Sequence, residues 1–360
     1  MRYFKLFILF FLIHSKVSAQ KFKLDSNYVE SYKQKFILVF HLSGQYNTLE
    51  LKESSASVTD TNKTDLSFPT FKSSLGFTFN YKWFNFSYGR NIFDVVFKNA
   101  YEGQRELSGV TKITNYAFTY APNRIRIETY FKKIAGFHEQ NREYYDSTYT
   151  TDSSYTLLPD MTTRNIGGDI IWTYNIRNRF SFGAPFSYTT RQQKSAGSFL
   201  FYLGVNHFDI RSTSSVIPNA VSQSYGAFSD LKYFKGLSFS LGAGWSYTLV
   251  LAKVLYANIT LIARYPYTMK EYETLTGEVI KQNSLEEEPD KLSFGMARSA
   301  VGINFKSFFA NIYAYADLYN YNYIDNRQLD LAIKNLNIRG ALNIGFRFNR
   351  IKKQKTRASI

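Results

Sequence analysis

Odd and even positions of residues 237–248, LSFSLGAGWSYT, belong to two different chemistries. Leu237, Phe239, Leu241, Ala243, Trp245 and Tyr247 alternate with Ser238, Ser240, Gly242, Gly244, Ser246 and Thr248. A strand points successive side chains to opposite faces, so the pattern predicts one apolar wall and one small, polar wall. The pattern recurs at 336–348, where Leu336, Ile338, Leu342, Ile344, Phe346 and Phe348 oppose Asn337, Arg339, Asn343 and Arg347. It recurs again at 71–81 and 124–132, near 84–89, 113–120, 165–174, 179–189, 199–206, 255–265 and 308–319, and more weakly at 36–46. Such segments suit strands that cross a bilayer at a tilt, which takes roughly 9–11 residues each.

Alternation also occurs in soluble β-sandwiches, and three features favour a membrane. The polar face is Ser, Gly, Asn, Thr and Tyr rather than the Lys and Glu of a solvated sheet. Aromatic residues make up 18% of the chain, many beside short turns: Tyr81 and Trp83, Tyr120, Trp172 and Tyr174, Phe305, Phe308 and Phe309. Aromatic rings favour the boundary between hydrocarbon and headgroups. Short turns at 81–83, 121–123, 175–178, 251–253 and 306–307 alternate with long polar connections at 49–69, 90–110, 138–161, 266–291 and 322–333. The expected fold class is all-β: a transmembrane antiparallel up-and-down barrel, closed because no backbone group goes unpaired in hydrocarbon.

Thirteen segments are countable, but single-chain bacterial barrels usually have even numbers. Reading 179–208 as one kinked strand, or a strand plus an inward bend near Pro185 and Gly197, restores the order of short and long connections. That predicts twelve strands, with fourteen, using a hidden strand near 219–230, as the alternative.

Residues 1–19 have a basic start (Arg2, Lys5), an apolar stretch and a small-residue end at Val17-Ser18-Ala19, the layout of a cleaved secretory signal. The expected organisation is a signal at 1–19, a short periplasmic segment at 20–34, a barrel at 35–349 and a basic tail at 350–360. Removal of the signal would lower the formal net charge from +16 to +13. The tail adds Arg350, Lys352, Lys353, Lys355 and Arg357, but an exported chain seldom meets nucleic acid, so no nucleic-acid partner is expected. Outer-membrane lipid and the barrel-assembly machinery are the expected partners. The absence of cysteine excludes disulfides, thiolate metal sites and cysteine nucleophiles.

Several stretches resemble domain-of-unknown-function family 4421, predicted outer-membrane proteins of Gram-negative bacteria. The resemblance is carried by DSNYVESY (25–32), GVTKITNYAFTYAPN (109–123), KKIAGFHE (132–139), LPDMTTRNIGGDIIWTYN (158–175), NRFSFGAPFSYTTRQQKSAGSFLF (178–201) and LGAGWSYTLVLAKVLYANI (241–259). Its most specific element is the Lys-Ser-Ala-Gly-Ser core at 194–198; GFHE departs from it by placing His138 where an aromatic is expected. The resemblance implies a barrel in the cell envelope and no established activity.

Neither cofactor nor metal is expected, since His41, His138 and His207 are scattered and no HExxH motif or nucleophile elbow occurs. By alternation, Arg126, Glu128, Lys132, Arg164, Asp169, Asp317, Arg339 and Arg347 are candidate lumen-facing groups. Tyr313, Tyr315 and Tyr319 would narrow the same lumen. Arg191, Gln192, Gln193, Lys194, Ser195, Gly197 and Ser198 form a candidate constriction or bend, with the structural bend preferred. The acidic NSLEEEPD (283–290) and polar TDTNKTD (59–65) read as solvated loops. The function expected is that of an outer-membrane barrel, either a narrow channel or transporter or a structural envelope protein. The alternatives are a lipid-modifying enzyme using His41 or His207 beside a hydroxyl, and a soluble periplasmic binding protein.

Overall fold

The computed structural model describes residues 24–53, 65–91, 109–122, 124–146, 148–149, 155–285, 294–325 and 328–349. The expected signal segment, the basic tail and most of the 59–65 and 283–290 loops lie outside the described residues. Fifteen strands follow in order: β1 (Val29–Ser31), β2 (Phe36–Glu53), β3 (Leu66–Tyr81), β4 (Phe84–Asn91), β5 (Lys112–Tyr120), β6 (Ile125–Glu139), β7 (Thr156–Tyr174), β8 (Thr190–Gln192), β9 (Ala196–Arg211), β10 (Leu231–Leu251), β11 (Leu255–Thr274), β12 (Val279–Leu285), β13 (Phe294–Asn304), β14 (Phe308–Asp325) and β15 (Gln328–Phe348). Twelve of them make an antiparallel wall, each beside its sequence neighbour, with β2 joined to β15. The remaining three are β1 and β8, which pair with each other, and β12, which adds to the end of β11. No helix among the described residues is long and apolar enough to cross a membrane; the crossing elements are strands.

The twelve strands agree with the expected number, and 179–208 resolves as a strand plus an inward bend. Chain 175–195 leaves the wall after β7, enters the barrel and returns to start β9. There is no strand at 219–230, which instead carries a 3₁₀ turn at Ser222–Phe228.

Nine of the twelve wall strands are longer than expected, β4, β5 and β13 being the exceptions. β10 and β15 each have 21 residues and β11 has 20, about twice what a bilayer crossing needs. Much of what reads as long polar loop is strand continuing outward, and the reason is visible on β2. By parity its outward positions run Phe36, Phe40, Leu42 and Tyr46, then the buried Thr48, and Glu50 and Lys52. Its inward residues run Ile37, Val39, His41, Ser43, Gln45 and Asn47, then Leu49 and Leu51. The side-chain parity is unbroken, but the apolar face moves from outside to inside about two-thirds of the way along. The lower part is solvated by lipid; the upper part has water outside and an apolar core within.

Outward residues of the lower zone form the lipid-facing belt. Leu241, Phe199 and Ile312 are each about two-thirds exposed, which hydrocarbon tolerates and water does not. Aromatic rings gather at the short-turn end, with Phe36 on Tyr81, Trp83 edge-on to Tyr120, and Trp172 on Phe201. That end carries both ends of the wall, as the periplasmic end of such barrels does. A bulge on β6 at Gly136 (φ +81°) shifts the register against β7; a Cβ there would lie 2.3 Å from the Val110 carbonyl oxygen.

Candidate functional site

The interior is filled in three layers. The lowest is the infolded 175–195 segment together with residues 24–35. Phe180, Phe182 and Tyr188 are buried, and Tyr188 stacks on Phe309 of β14 with ring centres 4.1 Å apart. Its hydroxyl donates to Asn311 Oδ1 (3.2 Å), and its carbonyl accepts from Arg347 Nε (3.0 Å). Arg126 donates to Ser187 Oγ at 2.7 Å.

The candidate constriction residues lie in or beside this plug, and most of their polar groups are engaged by the protein, Arg191 Nε being buried without a partner. Arg191 pairs with Glu30 (2.7 Å) and donates to the Asn304 carbonyl (3.3 Å). Gln192 accepts from Ser181 N and donates to the carbonyls of Arg179 and Lys194. Gln193 reaches Glu30, and the Lys194 ammonium lies over the Tyr28 ring. Ser195 Oγ accepts from Val250 N, while Ser198 Oγ donates to the Tyr174 carbonyl. A Cβ on Gly197 would lie 2.8 Å from the Tyr247 ring, so the strand re-enters the wall where only glycine fits.

Above the plug lies a polar chamber of about 180 Å³, continuous in its lining with a smaller one of about 60 Å³. Glu128 is held by Arg126 (Nε–Oε1 2.5 Å) and by both terminal nitrogens of Arg298 (2.9 and 2.5 Å). Asp317 accepts from Arg264 (2.5 Å) and from Tyr315 (2.8 Å). Tyr202 donates to Asp169 at 2.5 Å, and Tyr130 and Tyr319 share a hydroxyl contact of 2.9 Å. Lys132 donates to Asn47 Oδ1 (2.7 Å), and Arg339 lines both chambers. Arg126, Glu128, Lys132, Asp169, Asp317, Arg339 and Arg347 therefore point inward, with Arg347 in the plug layer.

Arg164 does not. It lies five residues from Asp169, an odd separation that puts it on the outer face, paired with Asp209 at 2.8 Å. Among the inward cations that escaped the sequence reading are Arg298, Arg264 and the buried Lys270, which donates to the Asn322 carbonyl. Arg298 lies in β13, whose GMARSAVG alternates small residues with few large ones. Arg264 shares even parity with Asn258 and Thr260, the signal by which it was discoverable.

The third layer is apolar. Leu49, Leu51, Leu66, Phe68, Phe208, Phe234, Tyr272, Leu331 and Ile333 converge from the upper wall. The 212–230 connection folds down into them, burying Val216, Ile217, Val221, Tyr225 and Phe228, and Tyr225 donates to the Leu51 carbonyl.

Neither His41 nor His207 lies where an interfacial hydrolase would use it. His207 faces outward beside Asp209 (3.1 Å), but its register partners are Ile166 and Leu237, which offer no nucleophile. His41 points inward against Gly76 and Gly89, away from the lipid-facing side where an interfacial hydrolase would need it. Among the described residues, no group of three or more His, Cys, Asp or Glu is placed to hold a metal ion.

The architecture is similar to that of the outer membrane protease OmpT from Escherichia coli, at 9% identity over 89% of this chain and 98% of that one, with a TM-score of 0.37. It is similar also to an outer membrane channel from Pseudomonas putida F1 (11% identity, 91% and 100% coverage, TM-score 0.31). The toluene transporter TodX from Pseudomonas putida shows 8% identity, 88% and 91% coverage and a TM-score of 0.25. Identity at this level transfers no functional residue. No curated protein matches significantly. The family described as Domain of unknown function (DUF4421) matches residues 23–348, nearly the whole described barrel with its infolded plug, and the chain belongs to that family.

Proposed function

We propose that this protein is an outer-membrane barrel closed to axial flow, with a structural or ligand-holding role and no enzymatic one. The observation that carries this reading is double closure. One end is filled by the hydrogen-bonded 175–195 plug, the other by an apolar core that includes the infolded 212–230 connection. An ion crossing the apolar layer would shed its water with nothing to replace it. Insertion by the barrel-assembly machinery and contact with outer-membrane lipid belong to the same reading.

Planar-bilayer recording tests it. The intact protein is expected to be electrically silent, whereas a variant with residues 214–229 replaced by a short Gly-Ser linker should show rare openings limited by the plug. Stable step conductance from the intact protein would overturn the closed-barrel reading and restore the narrow channel.

A further inference from the structure

The wall is not equally sealed all round. β4 and β5 pair through four residue pairs only, Phe84↔Tyr120 to Ser87↔Ala117. Beyond Ser87 the two strands part: Tyr88–Asn91 keep their pairing with β3, and Lys112–Tyr116 keep theirs with β6. Ring contacts show the same parting. Phe84 meets Phe118 and Tyr120 across the seam, but Tyr88 leans on Phe77 of β3 and Tyr116 on Phe131 of β6. The three atoms nearest to a Cβ placed on Gly89 belong to His41 of β2 and to Ser74 and Leu75 of β3.

This parting begins about four residues from the periplasmic turn, roughly 10 Å into the layer at ~3.3 Å per residue and a ~40° tilt. Unpaired backbone at that depth is costly unless it borders a cavity or a ligand. Here it borders a cavity. The smaller chamber is lined from one side by Ser87 and Gly89 of β4 and from the other by Ile113, Asn115 and Ala117 of β5. Through Gln45, Asn115, Ala117 and Arg339 its lining merges with that of the larger chamber.

Charge in the chamber is unbalanced. Its clusters hold Arg126, Arg264, Arg298, Lys132 and Arg339 against Glu128, Asp169 and Asp317. Glu128 and Asp317 are answered by arginines, and Asp169 is held by Tyr202. Among the described residues neither Lys132 nor Arg339 has a carboxylate within ion-pairing distance. Lys132 and Arg339 are half-buried in the chamber wall, and cations held there without a counter-charge create a site for an anion.

We propose that the β4–β5 seam is a lateral entrance by which the anionic head of a bilayer amphiphile reaches Lys132 and Arg339, its acyl chain lying between the parted strand edges. The proposal rests on the closed-lumen reading in one respect: with both ends filled, the wall is the remaining route. The shared chemistry is a phosphate or carboxylate carried on an acyl chain.

The chain has no cysteine, so engineered pairs report the seam directly. In phosphatidylcholine vesicles, F86C/F118C and S87C/A117C lie across the sealed part, where alternation makes one of them the closer pair type. Y88C/Y116C and G89C/N115C lie across the parted stretch. Under a mild oxidant one of the first two is expected to cross-link and neither of the second two. Equal cross-linking of all four would overturn the entrance, whatever the bilayer recordings show.

Ligand chemistry is read in the same vesicles with spin-labelled palmitate, spin-labelled phosphatidylglycerol and spin-labelled phosphatidylcholine. An anionic label is expected to be immobilised in preference to the zwitterionic one. K132Q/R339Q should cut that preference about tenfold while keeping the heat-dependent gel shift of a folded barrel. Preference for palmitate alone would assign a carboxylate head, and preference for phosphatidylglycerol alone a phosphate. Equal immobilisation of all three labels, or a preference untouched by K132Q/R339Q, would overturn the anionic assignment.

Discussion

The lower and upper halves of the barrel wall use the same alternation in opposite senses. Below, Leu241 and Phe239 face out and Ser240 faces in; above, on the same strand, Lys235 faces out and Phe234 faces in. Strand parity is a property of the backbone, whereas the side that must be apolar is set by whatever lies against it. Lipid outside demands one answer, and water outside demands the other. The halves therefore store stability differently: the lower in interior ion pairs and lipid contact, the upper in a packed core.

The largest effect should come from the lower interior. Glu128→Gln leaves Arg126 and Arg298 facing each other without their carboxylate, and removing one partner of a buried pair costs about 3–5 kcal/mol. Urea unfolding in vesicles should show that loss; a change under about 1 kcal/mol would mean that water in the chamber screens the cluster. The upper interior comes next. Phe68→Ala opens a cavity in the apolar cap at a cost of about 3–4 kcal/mol, read as a lower temperature for the gel shift.

Exterior substitutions sharpen the contrast. Leu241→Arg, in the lipid belt, should destabilise by about 2–4 kcal/mol. Glu271→Ala, outward on β11 but above the belt, loses only exposed contacts with Lys235 and Lys281 and should cost under about 1 kcal/mol. Equal costs at both positions would mean that the belt extends higher than the change of patterning on β2 and β10 places it.

The lower half was legible in the sequence because its apolar face is continuous and its polar face is small. Twelve strands and an inward bend within 179–208 follow from parity and from the order of short and long connections, and the same parity is what nominates the inward charges. Arg164 was misplaced by ignoring its odd separation from Asp169. The upper half was hidden because its outward Thr, Glu and Lys make a long strand resemble a solvated loop. Its inward Leu49, Leu51, Leu331 and Ile333 gain meaning only when opposed by other tips and by the 212–230 connection. The parted seam leaves no local mark either, since pairing is a relation between strands and the residues of β4 and β5 alternate regularly.

The plug also imposes an order on assembly. β1 pairs with β8 across some 160 residues of chain, Tyr188 rests on Phe309 of β14, and Arg347 of β15 caps the Tyr188 carbonyl. Contacts this distant in sequence form late, after the loops between them have closed. The clasp at the periplasmic mouth is thus complete only once the last two strands have arrived. A chain stalled at β12 would hold its first segment and its bend without the partners that lock them, exposing both to periplasmic proteases.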